Sequence, residues 1–341
     1  MTEFELIKRY FSRPAPSALI GNGDDCAVVA PRAGHAFAIT TDTLIEGRHF
    51  LPTLDPYTLG RRAVAVNLSD LAAMGAEPRF ATLSLALPDI DESWLNQFSL
   101  GLWSALDEHG VELIGGNTTR AALSVSLTAL GDVPVVNGQA QTLLRSGAQA
   151  GDELWVSGPM GEAGWALYCL LNDPRAGEGA SATARQIACY EAPQARVALG
   201  LALRGVATSC IDVSDGLLSE ATHIANASDV NIAIEFAAIP HGLSHWLESS
   251  AHATFAKHCI LTTGDAYELL FTAKPGDHAW VAQTLRRLGL SGAQIGLVGP
   301  RQAKKTKSGH DSVTVLGAKS EAMDIAVFGS AGWDHFGGAS V

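Results

Sequence analysis

The alternation of apolar and polar positions along the chain predicts a mixture of strands and helices. Apolar runs at 80–87 and 123–136 predict buried strands, and apolar residues at helical spacing within 94–109 predict an amphipathic helix. A second block of the same kind starts with a predicted strand at 153–157 and continues into a predicted helix at 158–171. The pattern therefore predicts two successive blocks that each contain strands and helices.

The polar, glycine-containing stretch 146–152 separates the two blocks. With 341 residues, of which 47% are hydrophobic, the chain is long enough for two domains of ~100–200 residues, each with its own core. We therefore predict one domain over residues 1–148 and a second over residues 149–341.

A helix start is predicted near Asp70. Ser69 and Asp70 are residue types that cap helix N-termini, Leu71 and Met74 then share one helical face, and Gly75 is a stop signal. A carboxylate at a helix start is favoured by the helix dipole, so Asp70 taken alone indicates a structural cap. A chemical role is favoured only if other carboxylates accompany it.

Two acidic turns precede this segment. Asp24 and Asp25 follow a glycine turn, and Asp42 follows Thr40 and Thr41 at the end of a β-branched run. Carboxylate and hydroxyl oxygens are hard ligands of the kind that Mg²⁺ takes. Ordinary surface turns have the same composition, so each turn by itself leaves both interpretations open.

A third acidic turn follows the predicted boundary. Asp212, Ser214 and Asp215 lie where a predicted strand passes through Gly216 into a predicted helix. This order places two carboxylates and a hydroxyl at one end of a sheet, where open α/β folds bind ligands. Because a structural explanation must hold separately for each acidic turn and for Asp70, the repeated pattern favours a shared role.

A glycine turn is predicted after the strand 111–114. Gly115 and Gly116 allow backbone N–H groups to approach a phosphate, and Asn117 adds a short polar side chain, although a plain glycine turn explains the same residues.

The sequence leaves the roles of two aromatic residues undecided. His49 has no neighbour that would make it a base or a zinc ligand, so the residues around it indicate packing or hydrogen bonding. Trp333 lies in an aromatic tail that either docks onto the core or forms one wall of a ligand site.

The formal net charge of -12 argues against a nucleic-acid surface and against an anionic membrane as partners, because both need basic patches. Polyphosphates remain possible ligands, since an acidic protein can bind them through divalent metal ions held on carboxylates. The five scattered cysteines contain no C-x-x-C pair, which is typical of free thiols in a reducing compartment. No signal peptide or run of ~20 apolar residues is visible, so we expect a cytoplasmic protein.

Eight segments of the chain together resemble one family, the thiamine-monophosphate kinases of the aminoimidazole-ribonucleotide synthetase superfamily. They read GNGDDCAVV, TTDTLIEGRHF, AVNLSDLAAMGAEP, LIGGNTTR, LLRSG, IDVSDGLLSE, GDAYELLF and GWDHF. The resemblance implies an α+β fold in which an N-terminal mixed sheet domain binds ATP and magnesium and pairs its sheet across a homodimer. A C-terminal α/β domain would cover the nucleotide. The implied reaction is magnesium-dependent transfer of the γ-phosphoryl group of ATP to thiamine monophosphate.

The resemblance also assigns roles to individual positions. Asp42, Asp70 and Asp212 would be the catalytic carboxylates. The implied magnesium ligands are Asp25, Thr40, Thr41, Asp42, Asp70, Asn117, Asp212 and Asp215. The implied ATP contacts are Gly116, Asn117, Arg145 and Ser214, and the implied thiamine-phosphate contacts are His49, Asp265 and Trp333.

The chain departs from the family pattern at two places. Asn117 stands where the family usually has an aspartate, so one ion would lose an anionic ligand. Asp265 and Ala266 stand where the family tends to have glutamate and aspartate, so one carboxylate arm is shorter and one is lost. These changes leave two alternatives open: a catalytically weakened paralogue that only binds its ligands, and a sister ATP-using synthetase of the same superfamily.

Overall fold

The computed structural model describes residues 2–301 and 312–328, and the chain forms two compact units, Met1–Thr142 and Leu143–Val341. The division falls just before the polar stretch 146–152. Within the described residues, no helix is long and apolar enough to cross a membrane.

The first unit packs helices against a mixed sheet. Its helices are α1 (Glu3–Leu6), α2 (Pro56–Ala73) and α3 (Glu92–Glu108), and its strands are β1 (His35–Ile45), β2 (Glu77–Leu87), β3 (Glu112–Arg120), β4 (Ser124–Val136) and β5 (Gln139–Ala140). The order across the sheet is β1-β4-β2-β3, with β5 paired to β4. The β2–β3 pair is parallel, whereas β4 runs antiparallel to both β1 and β2.

Helix α2 corrects the predicted helix start at Asp70. The helix begins at Pro56, fourteen residues before Asp70, with Asp55 as N-cap, so Asp70 lies in the last turn instead. The stop at Gly75 is confirmed, because Gly75 has φ +62° and its N–H donates to Ala72 O at 2.9 Å. Polar residues inside a buried helix imitate a cap in sequence.

Helices α2 and α3 approach each other closely at two glycines. A Cβ added to Gly101 would lie 1.9 Å from Tyr57 O, and one added to Gly60 would lie 2.3 Å from Phe98 O. The two helix backbones are therefore in direct contact, and no other residue fits at either position without a shift.

Strand β3 corrects the predicted glycine turn. The strand continues to Arg120 instead of ending before Gly115, and its register with β2 shifts between Ala81 and Thr82. Gly116 has φ +155°, and a Cβ there would lie 1.9 Å from Leu83 O. This glycine is required by the close β2–β3 pairing, and Asn117 lies within the strand.

The second unit contains a six-stranded sheet with helices on its faces. Its helices are α4 (Glu162–Leu170), α5 (Ala184–Glu191), α6 (Val197–Leu203), α7 (Leu217–Ala227), α8 (Ser244–Glu248), α9 (Ala253–Thr262) and α10 (His278–Arg287). Its strands are β6 (Glu153–Val156), β7 (Ala207–Asp212), β8 (Val230–Glu235), β9 (Leu269–Ala273), β10 (Ala293–Pro300) and β11 (Val313–Leu316).

The order across this sheet is β11-β8-β10-β6-β9-β7, and among its described strands only β11 and β8 pair in parallel. Side chains of β6 and β9 meet those of α4, α7 and α9 in one apolar core, which includes Leu154, Trp165, Ile224, Ile260 and Leu270. The α+β class expected from the resemblance is confirmed, and β7, which carries Asp212, is an edge strand of this sheet.

Candidate functional site

In the first unit, two predicted site residues are joined across β1 and α2. Thr40 Oγ1 donates a short hydrogen bond to Asp70 Oδ2, although the residues are 30 positions apart. Beside them, the Asp42 N–H donates to Asn67 Oδ1 at 3.0 Å, and Asn67 Nδ2 donates to Ala63 O at 3.0 Å. The structure thus brings Thr40, Asp42 and Asp70 to the same side of the sheet.

Asn67 holds β1 against α2, a contact that the sequence pattern did not assign to it. Its side chain is 1% exposed and links the main chain of β1 to the interior of α2. A polar residue at a buried helix position is the one signal that could have indicated this role, because such side chains need an internal partner.

The position of Asp70 in the last turn of α2 has an electrostatic consequence. The C-terminal end of a helix carries a partial negative charge, which disfavours a carboxylate there by about 0.3–1 kcal/mol. Asp70 is also half-buried. A cation beside this carboxylate would offset both costs.

Thr41 lies apart from this group. Its side chain alternates to the opposite, exposed face of β1, where its Oγ1 lies 2.9 Å from Thr128 Oγ1 and 3.2 Å from Leu127 O. The Thr41 hydroxyl is therefore not placed with Asp42 and Asp70.

The segment that carries Asp25 lies along the start of β3. Asn22 Nδ2 donates to Leu113 O at 2.8 Å, and Ile20 and Val28 form an isolated bridge around the turn. Asp25 itself is exposed, and its N–H donates to Asp24 Oδ1 at 3.1 Å. Asn117 is likewise exposed, further along β3.

His49 lies just beyond the carboxyl end of β1. Its Nδ1 accepts the Ile45 N–H at 3.0 Å, so the neutral ring carries its proton on Nε2. The His49 carbonyl accepts from Arg62 Nη2 at 3.3 Å. The first bond orients the ring and the second holds the main chain, at the same end of β1 as Asp42.

In the second unit, the acidic turn between β7 and α7 is held against the segment that precedes β9. The Asp265 N–H donates to Ser214 O at 2.9 Å, and the Tyr267 N–H donates to Val213 O at 2.8 Å. A Cβ on Gly264 would lie 2.1 Å from Ser214 O, so this close approach requires glycine. Predicted residues Ser214 and Asp265 are thereby neighbours.

Asp265 and Tyr267 have left-handed backbones, with φ +65° and φ +49°. Residues other than glycine rarely adopt this conformation, and it persists where surrounding contacts enforce it. The hydrogen bonds to Val213 and Ser214 hold this backbone conformation, and they fix the direction in which the Asp265 side chain leaves the backbone.

Glu220, in the first turn of α7, is a further acidic residue at this turn that the sequence analysis did not assign. It is 2% exposed, and its Oε1 accepts the Asp215 N–H at 3.2 Å. Burial raises the pKa of Glu220 to about 9, and the nearby carboxylates of Asp215 and Asp212 add to the rise. A buried third acid thus accompanies the buried Asp212 and the half-buried Asp215.

Arg145 lies on the segment that precedes β6. Its carbonyl accepts from Ser228 Oγ at 3.3 Å, at the end of α7, and the adjacent Leu144 O accepts the Cys210 N–H at 2.8 Å. Burial lowers the pKa of His223 on α7, the positive charge of Arg145 lowers it further, and Asp215 acts in the opposite direction. Arg145 and Asp215 therefore both lie near His223.

Within the described residues, no three His, Cys, Asp or Glu side chains form a group that could hold a metal ion by themselves. Mg²⁺ is commonly held by one or two carboxylates, with waters and substrate phosphates completing its shell. The pairs seen in each unit suit that kind of site. Trp333, predicted to contact substrate, lies outside the described residues.

A cavity of about 340 Å³ lies elsewhere in the second unit, and its lining includes Ala266 but neither Asp212 nor Asp215. At its wall, Arg196 Nε donates to the buried Glu268 at 2.7 Å. Burial, followed by a hydrogen bond to Glu162, raises the pKa of the cavity-lining Cys189 to about 12, so this thiol is not a nucleophile at neutral pH.

Family models and individual relatives of this chain agree with one another. The model of the AIR synthase related protein N-terminal domain matches residues 23–133, and that of the C-terminal domain matches residues 149–308. The thiamine-monophosphate kinase of Escherichia coli K12 is 42% identical over 297 residues, which cover 86% of this chain and 89% of that protein.

Two solved structures extend the likeness to the fold. The thiamine-monophosphate kinase of Stenotrophomonas maltophilia K279a has a TM-score of 0.78 and 38% identity, over 94% of this chain and 96% of that one. AaThiL complexed with AMPPCP and TMP has a TM-score of 0.72 and 27% identity, over 98% of this chain and 96% of that one.

Proposed function

The chain belongs to the thiamine-monophosphate kinase family, and from this premise we propose that it phosphorylates thiamine monophosphate with ATP, giving thiamine diphosphate. The observation that carries the proposal is the 42% identity to a kinase of that name over most of both chains. The AaThiL complex supports the same substrates, since AMPPCP is an ATP analogue and TMP is the phosphate acceptor.

We propose that the reaction uses Mg²⁺, and the donor chemistry of the chain fits that ion. Thr40, Asp42 and Asp70 offer hard oxygen atoms on one side of the first sheet, and Asp212 and Asp215 offer carboxylates in the second unit. Asp25 and Asn117 are further candidate ligands on neighbouring segments. Thr41 can contribute only through its main chain, because its hydroxyl faces the other way.

Bound Mg²⁺ would neutralise phosphate charge and so permit attack of one polyanion on another. The chain's own residues would bind the two substrates and orient them for the transfer. Asn67 fixes the main chain at Asp42, and Thr40 fixes the carboxylate of Asp70. Ser214 and Arg145 would meet the nucleotide phosphates, and His49, Asp265 and Trp333 would meet thiamine phosphate.

No protein nucleophile is needed for this reaction, and we propose direct in-line transfer. The prediction is checked by rapid-quench experiments with γ-labelled ATP, in which a phosphorylated protein intermediate would contradict direct transfer.

We further propose that the first domain binds nucleotide and forms a homodimer through its sheet. One face of β1 presents Ile39, Thr41, Thr43 and Ile45 to solvent, and Ile39 is 66% exposed. A row of this kind on an edge strand is suited to cover by a second copy of the sheet. We propose a cytoplasmic location, which the five free cysteines support.

The deciding experiment measures ADP release by the purified protein with Mg²⁺ and ATP. Thiamine monophosphate, thiamine and no acceptor are compared, and we expect release that depends on thiamine monophosphate. Tight binding of thiamine monophosphate without turnover would instead identify a weakened paralogue. The reason to test for this outcome is Asn117, which replaces an anionic metal ligand of the family with a neutral one. Turnover of ATP that ignores thiamine monophosphate would indicate a sister synthetase.

A further inference from the structure

The turn that carries Ser214 and Asp215 is fixed from two sides. On the strand side, the main chain at Asp265 and Tyr267 donates to it, as described above. On the helix side, the side chain of Glu220 reaches back and accepts the Asp215 N–H at 3.2 Å. The second contact is made by a side chain, so substitution can remove it without changing the backbone.

Glu220 takes over a role that the N-cap cannot fill. The N-cap of α7 is Gly216, which has no side chain that could accept a hydrogen bond. Its φ is +133°, and a Cβ added there would lie 2.6 Å from Thr262 O, so the position requires glycine. An acidic residue in the first helical turn that bonds back to a preceding N–H replaces a missing cap, as in a capping box.

The burial of Glu220 is costly for stability, which indicates a role beyond capping. The residue is 2% exposed, and its Oε2 has no hydrogen-bond partner among the residues that the structure describes. A buried polar atom without a partner costs about 1–3 kcal/mol. Such costs are typically retained where local geometry serves a site.

Building on the proposed kinase function, we propose that Glu220 is a positioning residue. Its carboxyl group holds the main chain at Asp215, and through it the Asp215 carboxylate and the Ser214 hydroxyl, in the orientation that meets metal and nucleotide. Glu220 acts through Asp215, so the reaction requires a hydrogen-bond acceptor at position 220 and does not require a charge there.

The test compares Glu220→Gln with Glu220→Met, which are similar in volume and differ in whether an acceptor is present. Glu162→Gln is the matched control, because Glu162 is also a first-turn glutamate, 2% exposed, and follows a glycine N-cap. The readouts are kcat, the half-saturating Mg²⁺ concentration, and calorimetric binding of Mn²⁺ with AMPPCP, which needs no turnover.

We expect Glu220→Gln to stay close to wild type and Glu220→Met to weaken metal binding or activity by about 10–100-fold, the usual effect of losing an outer-shell partner. Glu162→Gln should leave all three readouts unchanged. Equal losses in Glu220→Gln and Glu220→Met would overturn the proposal, because charge would then be the requirement. A lowered Tm in Glu220→Met with unchanged metal and nucleotide binding would also overturn it.

The test also allows for a variant that does not fold and for a wild-type protein without kinase activity. If Glu220→Met does not fold, Glu220→Ala takes its place in the same comparison. If wild type does not turn over thiamine monophosphate, the kinase proposal fails, and the Mn²⁺ and AMPPCP binding data still decide the role of Glu220.

Discussion

The position of Asp70 in the last turn of α2 leads to a prediction that separates its chemistry from its contribution to stability. In Asp70→Asn, the side chain keeps its shape and an oxygen that can accept from Thr40, but it loses its charge. The loss of charge removes an unfavourable interaction with the helix end, worth about 0.3–1 kcal/mol. It also weakens the Thr40 bond, since bonds to charged groups contribute about 1.5–3 kcal/mol and neutral bonds about 1 kcal/mol.

These two effects oppose each other, so we expect the free energy of unfolding to change by less than about 2 kcal/mol. Activity should fall by at least about 100-fold, the scale on which a lost electrostatic group lowers kcat. The assay is ADP release with thiamine monophosphate over a range of Mg²⁺ concentrations, together with Tm from circular dichroism in the absence of nucleotide.

Asp55→Asn is the matched control at the other end of α2. Asp55 caps the helix through a bond from the Thr58 N–H at 2.9 Å, and asparagine caps as well as aspartate. Here loss of charge removes a favourable dipole interaction, so we expect a destabilisation of about 0.3–1 kcal/mol with activity unchanged. The reasoning is refuted if Asp70→Asn keeps more than a tenth of wild-type kcat, or if Asp55→Asn reduces activity as strongly as Asp70→Asn does.

Three further predictions follow from other parts of the structure. Asn117→Asp should lower the half-saturating Mg²⁺ concentration by restoring an anionic ligand, and an unchanged magnesium dependence would contradict that role. Gly101→Ala should lower the denaturation midpoint strongly, because its Cβ would lie 1.9 Å from Tyr57 O, whereas Gly276→Ala, with open space around it, should not. The folded-state pKa of Glu220, about 9, exceeds its ordinary value of 4.5, so the folded state binds its proton more tightly than the unfolded state. Stability measured in a metal chelator should therefore fall as pH rises from about 4.5 to about 9, and Glu220→Gln should flatten that profile; equal slopes in the two proteins would be evidence against a buried, protonated Glu220.

The local pattern was sufficient for many elements. Apolar runs at 80–87 and 123–136 and the helical spacing at 94–109 correspond to β2, β4 and α3, and Gly75 ends its helix as expected. These features depend on neighbouring residues, so they can be read from the sequence. The full extent of α2 and β3 could not be read from the sequence. Polar and glycine residues that usually end an element are accommodated there by contacts with other elements.

The candidate site divides in the same way. Residue identity alone supplied the carboxylates of Asp42, Asp70 and Asp212, and together with the family likeness it indicated phosphoryl transfer. The partners of these side chains follow from the fold, in which Thr40 meets Asp70, Thr41 faces away, and the buried Glu220 supports the Asp215 turn. The reason is physical: side-chain chemistry is a property of each residue, whereas its direction, burial and partners depend on segments that are distant in the chain and meet only in the folded protein.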